Sequence, residues 1–212
     1  MKPSLASWFG SPLCKRCIEV PQPVAVQNSG LIQLTTHADL QSHWVVLFHS
    51  IEGYEPHSEQ NLQASFRRRG AINARLHTHA RTLPPPTGIQ RLTWATQGVV
   101  GSNAYWGHWK HARHLQRNHW SLIGQVVGDI EKRLSKYSQQ ASRFGLIHAD
   151  LRLANLLVDG ELSRIIDFDD CGFGWYLHDL VSAPSFHEDH VATPRSIESW
   201  LAGYTTPQNA CL

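Results

Sequence analysis

The chain is poor in cysteine, in net charge and in long apolar runs. Its 212 residues include four cysteines and carry a formal net charge of +2, with 42% hydrophobic and 17% charged residues. No apolar run approaches the roughly 20 residues of a membrane span, and the N-terminus lacks the apolar core of a signal peptide. The near-neutral charge argues against a nucleic-acid or membrane partner. Few cysteines are typical of a reducing compartment, so we expect a cytoplasmic protein.

The cysteines do not predict a metal or redox site. Cys14 and Cys17 have the spacing of half a zinc site, but no second pair follows at a usable distance. A redox Cys-x-x-Cys motif normally lies in a βαβ pattern, which this segment lacks. Reduced surface thiols are therefore the default interpretation, with a zinc or redox role as the open alternative.

Residues 144–179 form the stretch around which the rest of the chain is organised. Short apolar runs in it alternate with polar residues, and the Asp-Gly pair at 159–160 between two such runs is a strong hairpin signal. Asp150 and Asn155 precede the predicted hairpin, and Asp167 follows it directly. Because a hairpin folds its outer ends back together, we expect these three side chains to converge on one small volume.

The three polar side chains at this end of the hairpin favour a bound cation. Crowded carboxylates repel each other and raise each other's pKa unless a cation lies among them. Mg2+ held by one or two carboxylates together with substrate phosphates fits such oxygen ligands best. A carboxylate left off the metal can orient a substrate hydroxyl and accept its proton. The order His-x-Asp-x-x-x-x-Asn followed by Ile-Asp-Phe repeats the spacing of the catalytic and metal-binding loops of kinases.

Three segments carry a resemblance to a known family. Residues 146–157, 165–174 and 178–180, with the sequences LIHADLRLANLL, IIDFDDCGFG and HDL, resemble the aminoglycoside phosphotransferase/choline kinase/homoserine kinase-like family. The resemblance implies a protein-kinase-like α+β fold, in which a partial small β-lobe precedes a mostly helical large lobe with a catalytic β-hairpin. It also implies an enzyme that uses ATP and Mg2+ to phosphorylate a small-molecule hydroxyl. The residues alone leave open an acidic turn in an unrelated α+β protein.

The resemblance further implies a role for each polar residue of the motif. Asp150 is expected to be the catalytic base, and His148, the other catalytic-loop residue, to shape that loop. Asn155 and Asp167 are expected to bind Mg2+. Asp179 is expected to be a structural acid that forms hydrogen bonds to the catalytic loop from the next helix. The LRLA and DFDD sequences favour the homoserine kinase-like branch, with aminoglycoside and choline acceptors left open.

The chain before residue 54 has the pattern of β-strands. Residues 21–26, 31–35 and 44–48 are rich in strand-forming residues, and turn residues follow the first of these segments. By the family resemblance, the third strand leads into the hinge between the lobes, where backbone groups would contact adenine. The residues expected to bind the cofactor there are Phe48, His49, Ser50 and Ile51. Without the resemblance, an apolar segment of this kind predicts an ordinary strand of the core.

Two long segments have helical periodicity. Residues 58–81 form the first, in which we expect the arginine triplet at 67–69 to be solvated and His77 to be packed or capping rather than catalytic. Residues 119–143 form the clearest helix, with a continuous apolar stripe. We expect this second helix to pack against the hairpin and to hold Asp150 rigidly.

A kinase-like site also needs a glycine-rich loop over the phosphates and a strand lysine that pairs with them. Neither can be placed here, since the segment before the hinge has only Lys2 and Lys15 and no G-x-G-x-x-G sequence. The resemblance therefore implies a member shortened at its small lobe and at its C-terminus. It divides the chain into an irregular segment (1–19), a small-lobe remnant with the hinge (20–53) and a large lobe (54–212).

Two functions from different classes follow from these observations. The first is an ATP- and Mg2+-dependent phosphotransferase of a small-molecule hydroxyl, either homoserine kinase-like or aminoglycoside phosphotransferase-like. The second is a catalytically inactive truncated remnant or binding module of that family, since loss of the loop and the lysine removes positioning and charge stabilisation. Nucleic-acid binding through the arginine triplet is disfavoured by the near-neutral charge. A homodimer would cover the sheet edge that absent strands leave exposed.

Overall fold

The structure, a computed structural model, describes residues 19–25, 30–36, 41–56, 62–82, 88–160 and 162–206. Small β-sheets alternate in this part of the chain with helices, which agrees with the predicted α+β class. In chain order the elements are β1 (Gln33–Thr36), β2 (Ser42–Val45), α1 (Leu62–Thr82), β3 (Thr93–Trp94), α2 (Thr96–Val99), α3 (Arg117–Tyr137), β4 (Phe144–Ile147), β5 (Leu156–Asp159), β6 (Leu162–Ile165), β7 (Gly172–Trp175), α4 (His178–Ser182) and α5 (Thr193–Thr205).

Strands β5 and β6 form the predicted antiparallel hairpin. Leu156 lies opposite Ile165, and Asp159 lies opposite Leu162. Asp159 is therefore still paired, and the chain begins to reverse at Gly160, whose φ of +58° lies in the left-handed region that glycine adopts without strain. The hairpin prediction is confirmed, and Asp159 of the Asp-Gly pair still belongs to the paired strand.

Both outer edges of the hairpin pair with segments that precede α1. On one edge, Tyr54 and Val158 exchange backbone hydrogen bonds of 3.1 and 2.9 Å. On the other edge, the Ile165 N–H donates to the Glu19 carbonyl at 3.1 Å. The Arg164 Nε also donates to the Glu19 carboxylate at 2.8 Å. The hairpin therefore has no unpaired edge at these positions, and the chain on both sides of the predicted hinge is attached to it.

Helix α1 packs behind the hairpin and closes the main core. Ile72 and Leu76 of α1 lie in one buried cluster with Leu156 and Ile165 of the hairpin. Beside this core, β4 pairs antiparallel with β7, and β7 pairs parallel with β3. The loop that carries the predicted base therefore leaves a paired strand, β4, and enters another, β5, so both of its ends are held.

Helices α1 and α5 approach each other at two glycines. A methyl group at Gly70 would clash with the backbone carbonyl of Trp200, and one at Gly203 would clash with that of Arg67. Only glycine permits this separation of the two backbones. Phe66 and Trp200, which lie at the same crossing, are buried in a second apolar cluster.

Arg69 shows that the expectation of a solvated arginine triplet was wrong in part. Arg67 is exposed, but Arg69 is completely buried, with its guanidinium 3.8 Å from the centroid of the Phe66 ring. Its Nη1 donates to the carbonyls of Ala183 at 2.7 Å and Leu151 at 3.4 Å. Burial lowers the pKa of Arg69 to about 9, so the side chain remains cationic at neutral pH. The helical pattern could not show this because the carbonyls that Arg69 binds lie 82 and 114 residues further along the chain.

Helix α3 does not pack as predicted. It ends at Tyr137, and none of its residues is buried. Leu122, Val126 and Ile130 of its apolar stripe are 65%, 50% and 39% exposed. The space behind the hairpin is filled instead by Ile72 and Leu76 of α1. An amphipathic pattern indicates that a helix has an apolar face, but it does not indicate which surface, if any, covers that face.

The strands of the predicted small lobe are shorter than expected. β1 and β2 pair antiparallel, with Leu34 opposite Trp44. The described part of the predicted strand at 21–26 contributes one isolated bridge, between Pro23 and Phe48. Proline has no N–H to donate to a ladder, which limits pairing at this segment. The division of the chain at residues 19 and 53 stays a prediction.

Several predictions concern residues outside the described part of the chain. Cys14, Cys17, Lys2 and Lys15 belong to this group. Cys171 is described, and its thiol is completely buried and unbridged. Burial raises its pKa, so this thiol is not a reactive surface group. Among the described helices, none is long and apolar enough to cross a membrane.

Candidate active site

The loop between β4 and β5 holds the predicted base in a defined position. Asp150 Oδ2 accepts hydrogen bonds from Arg152 Nε and from Asn155 Nδ2, both at 2.9 Å. The Asn155 amide nitrogen also donates to the Asp150 backbone carbonyl at 2.8 Å. The Asp150 side chain nevertheless remains 20% exposed. Asp150 therefore presents a fixed carboxylate that a ligand can reach.

Asp167 follows β6 at the same end of the hairpin. The Ile166 N–H donates to the Asn155 backbone carbonyl at 3.1 Å, which brings this segment against the catalytic loop. Asp167 has a φ of +62°, which is uncommon for a residue with a side chain, and its Oδ1 accepts the Asp169 N–H at 3.4 Å. The structure therefore brings Asp150, Asn155 and Asp167 to one end of the hairpin, as the hairpin geometry predicts.

His148 connects the two loops. Its buried ring accepts the Asp150 N–H at Nδ1 (3.3 Å), and its Nε2–H donates to the Ile166 carbonyl at 3.2 Å. Burial lowers the pKa of His148, and this outweighs the opposing effects of its neighbours, of which the Asp179 charge is the largest. The neutral, buried ring thus has both nitrogens engaged between the two loops, and its role in shaping the catalytic loop stays a prediction.

The carboxylates at this end of the hairpin influence one another. Burial, followed by the charges of Asp150, Asp167 and Asp169, raises the pKa of Asp170. Among the described residues, no group of three or more His, Cys, Asp or Glu side chains is arranged to hold a metal ion. The Asn155 amide nitrogen is used by Asp150, which leaves its oxygen for a cation. One carboxamide and one carboxylate, completed by phosphate and water oxygens, form a donor set that fits Mg2+.

Arg91 holds the loop after β6 from outside and was not predicted from the sequence. Its guanidinium donates to the backbone carbonyls of Phe168, Asp169 and Cys171, with Nε at 2.5 Å from the Cys171 oxygen. The guanidinium thus fixes the backbone on which Asp167 and its neighbours are mounted. An arginine whose partners are distant backbone carbonyls leaves no motif in a sequence.

Asp179 forms hydrogen bonds to the catalytic loop, as the family resemblance implied. This buried carboxylate accepts the backbone N–H groups of Ala149 at 2.7 Å and His148 at 3.3 Å. It also binds the His77 ring at 2.9 Å. Ala149, the residue before the predicted base, has a φ of +71°, a conformation that costs an alanine about 1–2 kcal/mol. The prediction for Asp179 is confirmed, and His77, expected to be only packed or capping, takes part in the same network.

The predicted adenine-binding segment follows β2. The His49 N–H donates to the Gln22 carbonyl at 2.9 Å, so this group is already paired. Phe48, His49 and Ser50 are exposed, and Ile51 is half-buried. Their predicted contact with adenine stays a prediction.

A cavity of about 370 Å³ lies beside the catalytic loop. Arg152 lines this cavity and also binds the Asp150 carboxylate, so the cavity lies next to the predicted base. The Arg152 guanidinium lies 5.3 Å from the centroid of the Phe186 ring. The lining residues are Glu55, Pro56, Arg152, Leu153, Ala154, Ser185, Phe186 and His187.

Most of the chain matches a single family model. Residues 13–210 match the model of the phosphotransferase enzyme family. The chain belongs to this family. No protein of curated function matches the sequence. The family prediction is therefore confirmed, and residues 148–155 and 167 lie within the matched region.

Solved structures confirm the kinase-like fold of this phosphotransferase-family chain. A microcompartment-associated aminopropanol kinase is 33% identical, with a TM-score of 0.83, and the match covers 96% of this chain. An amicoumacin kinase is 18% identical with a TM-score of 0.68 over 94% of this chain. A spectinomycin phosphotransferase is 19% identical with a TM-score of 0.57 over 96% of this chain. The present chain spans 63%, 59% and 64% of these three proteins, respectively.

Asp179 is expected to make the stability of this phosphotransferase-family chain depend on pH in the acid range. Burial raises its pKa, but the hydrogen bonds from the His77 ring and from the Ala149 backbone N–H favour the ionised form, and the pKa lies below its ordinary value. The resulting stabilisation is complete above the unfolded value and is lost as pH falls towards the folded one.

The Asp179→Asn variant should therefore be less stable than the parent at pH 7, by about 1–3 kcal/mol. The difference should shrink as the pH falls below about 4, because the carboxylate of the unfolded parent then becomes protonated and the stabilisation of the folded parent is lost. Urea unfolding of both proteins at several pH values measures it. If the difference in unfolding free energy between the two proteins stays constant from pH 7 to pH 3, the lowered pKa of Asp179 is contradicted.

Proposed function

We propose that the chain transfers the γ-phosphoryl group of ATP to the hydroxyl of a small molecule. The observation that carries this proposal is the convergence of Asp150, Asn155 and Asp167 at one end of the hairpin, beside a cavity of about 370 Å³. Such an arrangement combines a positioned carboxylate, an oxygen-rich cation site and space for an acceptor, which are three of the parts that phosphoryl transfer uses.

Each predicted site residue has a defined task in this reaction. Asp150 orients the acceptor hydroxyl and takes its proton as the oxygen attacks the γ-phosphorus. The bond from that phosphorus to the β–γ bridging oxygen breaks, and ADP leaves. Asn155 and Asp167 would hold Mg2+, which would supply positive charge to neutralise the phosphates. His148 keeps the loop in shape, and the backbone at residues 48–51 contacts adenine.

The cavity supports an acceptor that carries an amino group as well as a hydroxyl. Its one guanidinium, from Arg152, is already neutralised by Asp150, whereas Glu55 adds a further carboxylate to the wall. The exposed ring of Phe186 can contact a cation on its face. The similar aminopropanol kinase structure favours an amino alcohol. Homoserine-like and aminoglycoside acceptors also carry both an amino group and a hydroxyl, so they are included in the turnover assay.

A catalytically inactive remnant or binding module is the second candidate. In the described residues before the hinge, at 19–25, 30–36 and 41–47, there is neither a lysine nor an arginine to pair with the phosphates. Loss of one well-placed electrostatic donor costs about two to three powers of ten in rate. This candidate keeps the fold and the acidic site without turnover. For either candidate we propose a cytoplasmic setting without nucleic-acid or membrane partners, and a homodimer as the assembly to test.

Thermal unfolding with and without Mg-ATP tests the nucleotide site. A ligand present at a hundred times its dissociation constant stabilises the folded state by about 2.7 kcal/mol, which raises the unfolding midpoint measurably. We expect a shift in the parent that is lost in Asp167→Asn and retained in Asp159→Asn, a control on the exposed side of the hairpin. A cooperatively folded parent without a shift would exclude the phosphotransferase proposal.

A turnover assay then separates the two candidates. ADP release is measured with Mg-ATP and, in turn, aminopropanol, homoserine and spectinomycin. Acceptor-dependent release supports the enzyme, and its dependence on the acceptor defines the specificity. A nucleotide-dependent shift without release for any acceptor supports the binding module.

A further inference from the structure

A buried polar chain connects the last helix to the catalytic loop. The Tyr204 hydroxyl of α5 lies 2.9 Å from Nδ1 of His77, and Nε2 of His77 lies 2.9 Å from Oδ2 of Asp179. The side chains of His77 and Asp179 are completely buried. Asp179 in turn accepts the backbone N–H of Ala149, next to the predicted base. Four residues from three helices and a loop are thus joined in series.

The acceptor role of Asp179 determines the direction of these hydrogen bonds. An ionised carboxylate can only accept, so Nε2 of His77 carries the hydrogen that binds it. In the neutral ring, Nδ1 is then an acceptor, and the Tyr204 hydroxyl is the donor that it faces. Tyr204 therefore favours the tautomer of His77 that Asp179 needs.

We propose that His77 and Tyr204 are positioning residues for the catalytic loop. Asp179 holds the Ala149 amide in a left-handed backbone conformation, with a φ of +71°, and the direction in which Asp150 points follows from that conformation. Tyr204 orients His77, and His77 orients the Asp179 carboxylate. Outer partners of this kind act by fixing the group that contacts the reaction, without contacting it themselves. The turnover readout below rests on the proposed phosphotransferase function, whereas the exchange readout does not.

The Tyr204→Phe substitution is the mildest test, because it removes one hydroxyl and keeps the ring. Tyr176→Phe is its matched control. The Tyr176 ring lies 4.5 Å from the His77 ring, closer than the Tyr204 ring at 5.6 Å, but its hydroxyl donates to the Ala141 carbonyl. Amide hydrogen exchange at residues 148–150 is measured in the parent and in both variants under native conditions.

We expect exchange at 148–150 to be about fivefold faster in Tyr204→Phe, the change expected for the loss of one ordinary hydrogen bond. Exchange in Tyr176→Phe should match the parent. In the turnover assay, kcat of Tyr204→Phe should fall by about tenfold, while KM for ATP and for the acceptor is unchanged. Equal exchange in the two variants would overturn the proposal. A parent without turnover would remove the proposed function and leave the exchange test valid.

A double mutant tests whether the residues act in series. His77→Gln removes the ring that receives the Tyr204 hydroxyl, and it should also accelerate exchange at 148–150. Adding Tyr204→Phe to His77→Gln should then have no further effect on that exchange, because residues that act through one another are non-additive. Fully additive effects would show that Tyr204 acts independently of His77 and would overturn the proposal that the two residues act in series.

Discussion

Replacing Asp150 by asparagine is expected to lower kcat by about two to four powers of ten, the usual contribution of a positioned general base. Asparagine has the same shape, and it can still accept a hydrogen bond from Arg152 or Asn155, which both bind the Asp150 carboxylate at 2.9 Å. It cannot take a proton from the acceptor hydroxyl. The loop should therefore keep its structure while the chemical step slows, and single-turnover ADP formation measures that step.

Asp159→Asn provides the matched control for this substitution. Asp159 lies on the same hairpin, but its side chain is 60% exposed, and it accepts a hydrogen bond from Arg164 at 3.4 Å. We expect kcat of this control to equal that of the parent. The Mg-ATP-dependent rise in the unfolding midpoint should persist in both variants. Equal kcat in Asp150→Asn and the parent would remove Asp150 from the chemical step.

Gly70→Ala is expected to destabilise the protein strongly for so small a change. Its methyl group would clash with the backbone carbonyl of Trp200, which cannot rotate away as a side chain can. Forcing α1 and α5 apart costs about 1–3 kcal/mol or more, whereas the better helix propensity of alanine returns about 1 kcal/mol. The apolar contacts of Phe66 and Trp200 at the same crossing would loosen as well. A net loss of about 2 kcal/mol should lower the unfolding midpoint by several degrees.

Gly128→Ala should change the free energy of unfolding in the opposite direction, towards higher stability. Gly128 also lies within a helix, α3, but a methyl group there meets nothing within 4 Å. The substitution should stabilise the protein by about 0.5–1 kcal/mol, because alanine is the better helix former. Urea unfolding of both variants measures the two changes. If both glycines respond alike, helix propensity and not backbone clash governs the crossing of α1 and α5.

The convergence of the candidate site residues could be predicted because its geometry is local. A two-strand hairpin is encoded by alternating short apolar runs and a turn pair, and its formation alone brings residues 150, 155 and 167 together. The family resemblance rests on the same stretch, which explains why both the family and the place of Asp179 were predicted correctly. The prediction of a hard cation rests on the same positions, because carboxylate and carboxamide oxygens are ligands that suit Mg2+.

The supports of the site could not be predicted, because each depends on an element from far along the chain. Arg91 acts on backbone carbonyls at 168, 169 and 171, and Arg69 on those at 151 and 183. His77 contacts Asp179 and Tyr204, which are 102 and 127 residues away. Backbone partners have no side-chain signature, and the helical pattern around an arginine or histidine does not show which helix will cover it.

The sequence by itself determined the fold class, the family, the hairpin and the set of polar residues at its end, because these depend on spacing along one short segment. Tertiary structure alone decided that α1 rather than α3 supports the hairpin, since both helices have apolar faces and docking selects between them. It also decided that Arg69 is buried and that Tyr204 reaches the catalytic loop through His77. Local patterns specify the reactive groups, and packing between distant segments specifies how firmly those groups are held.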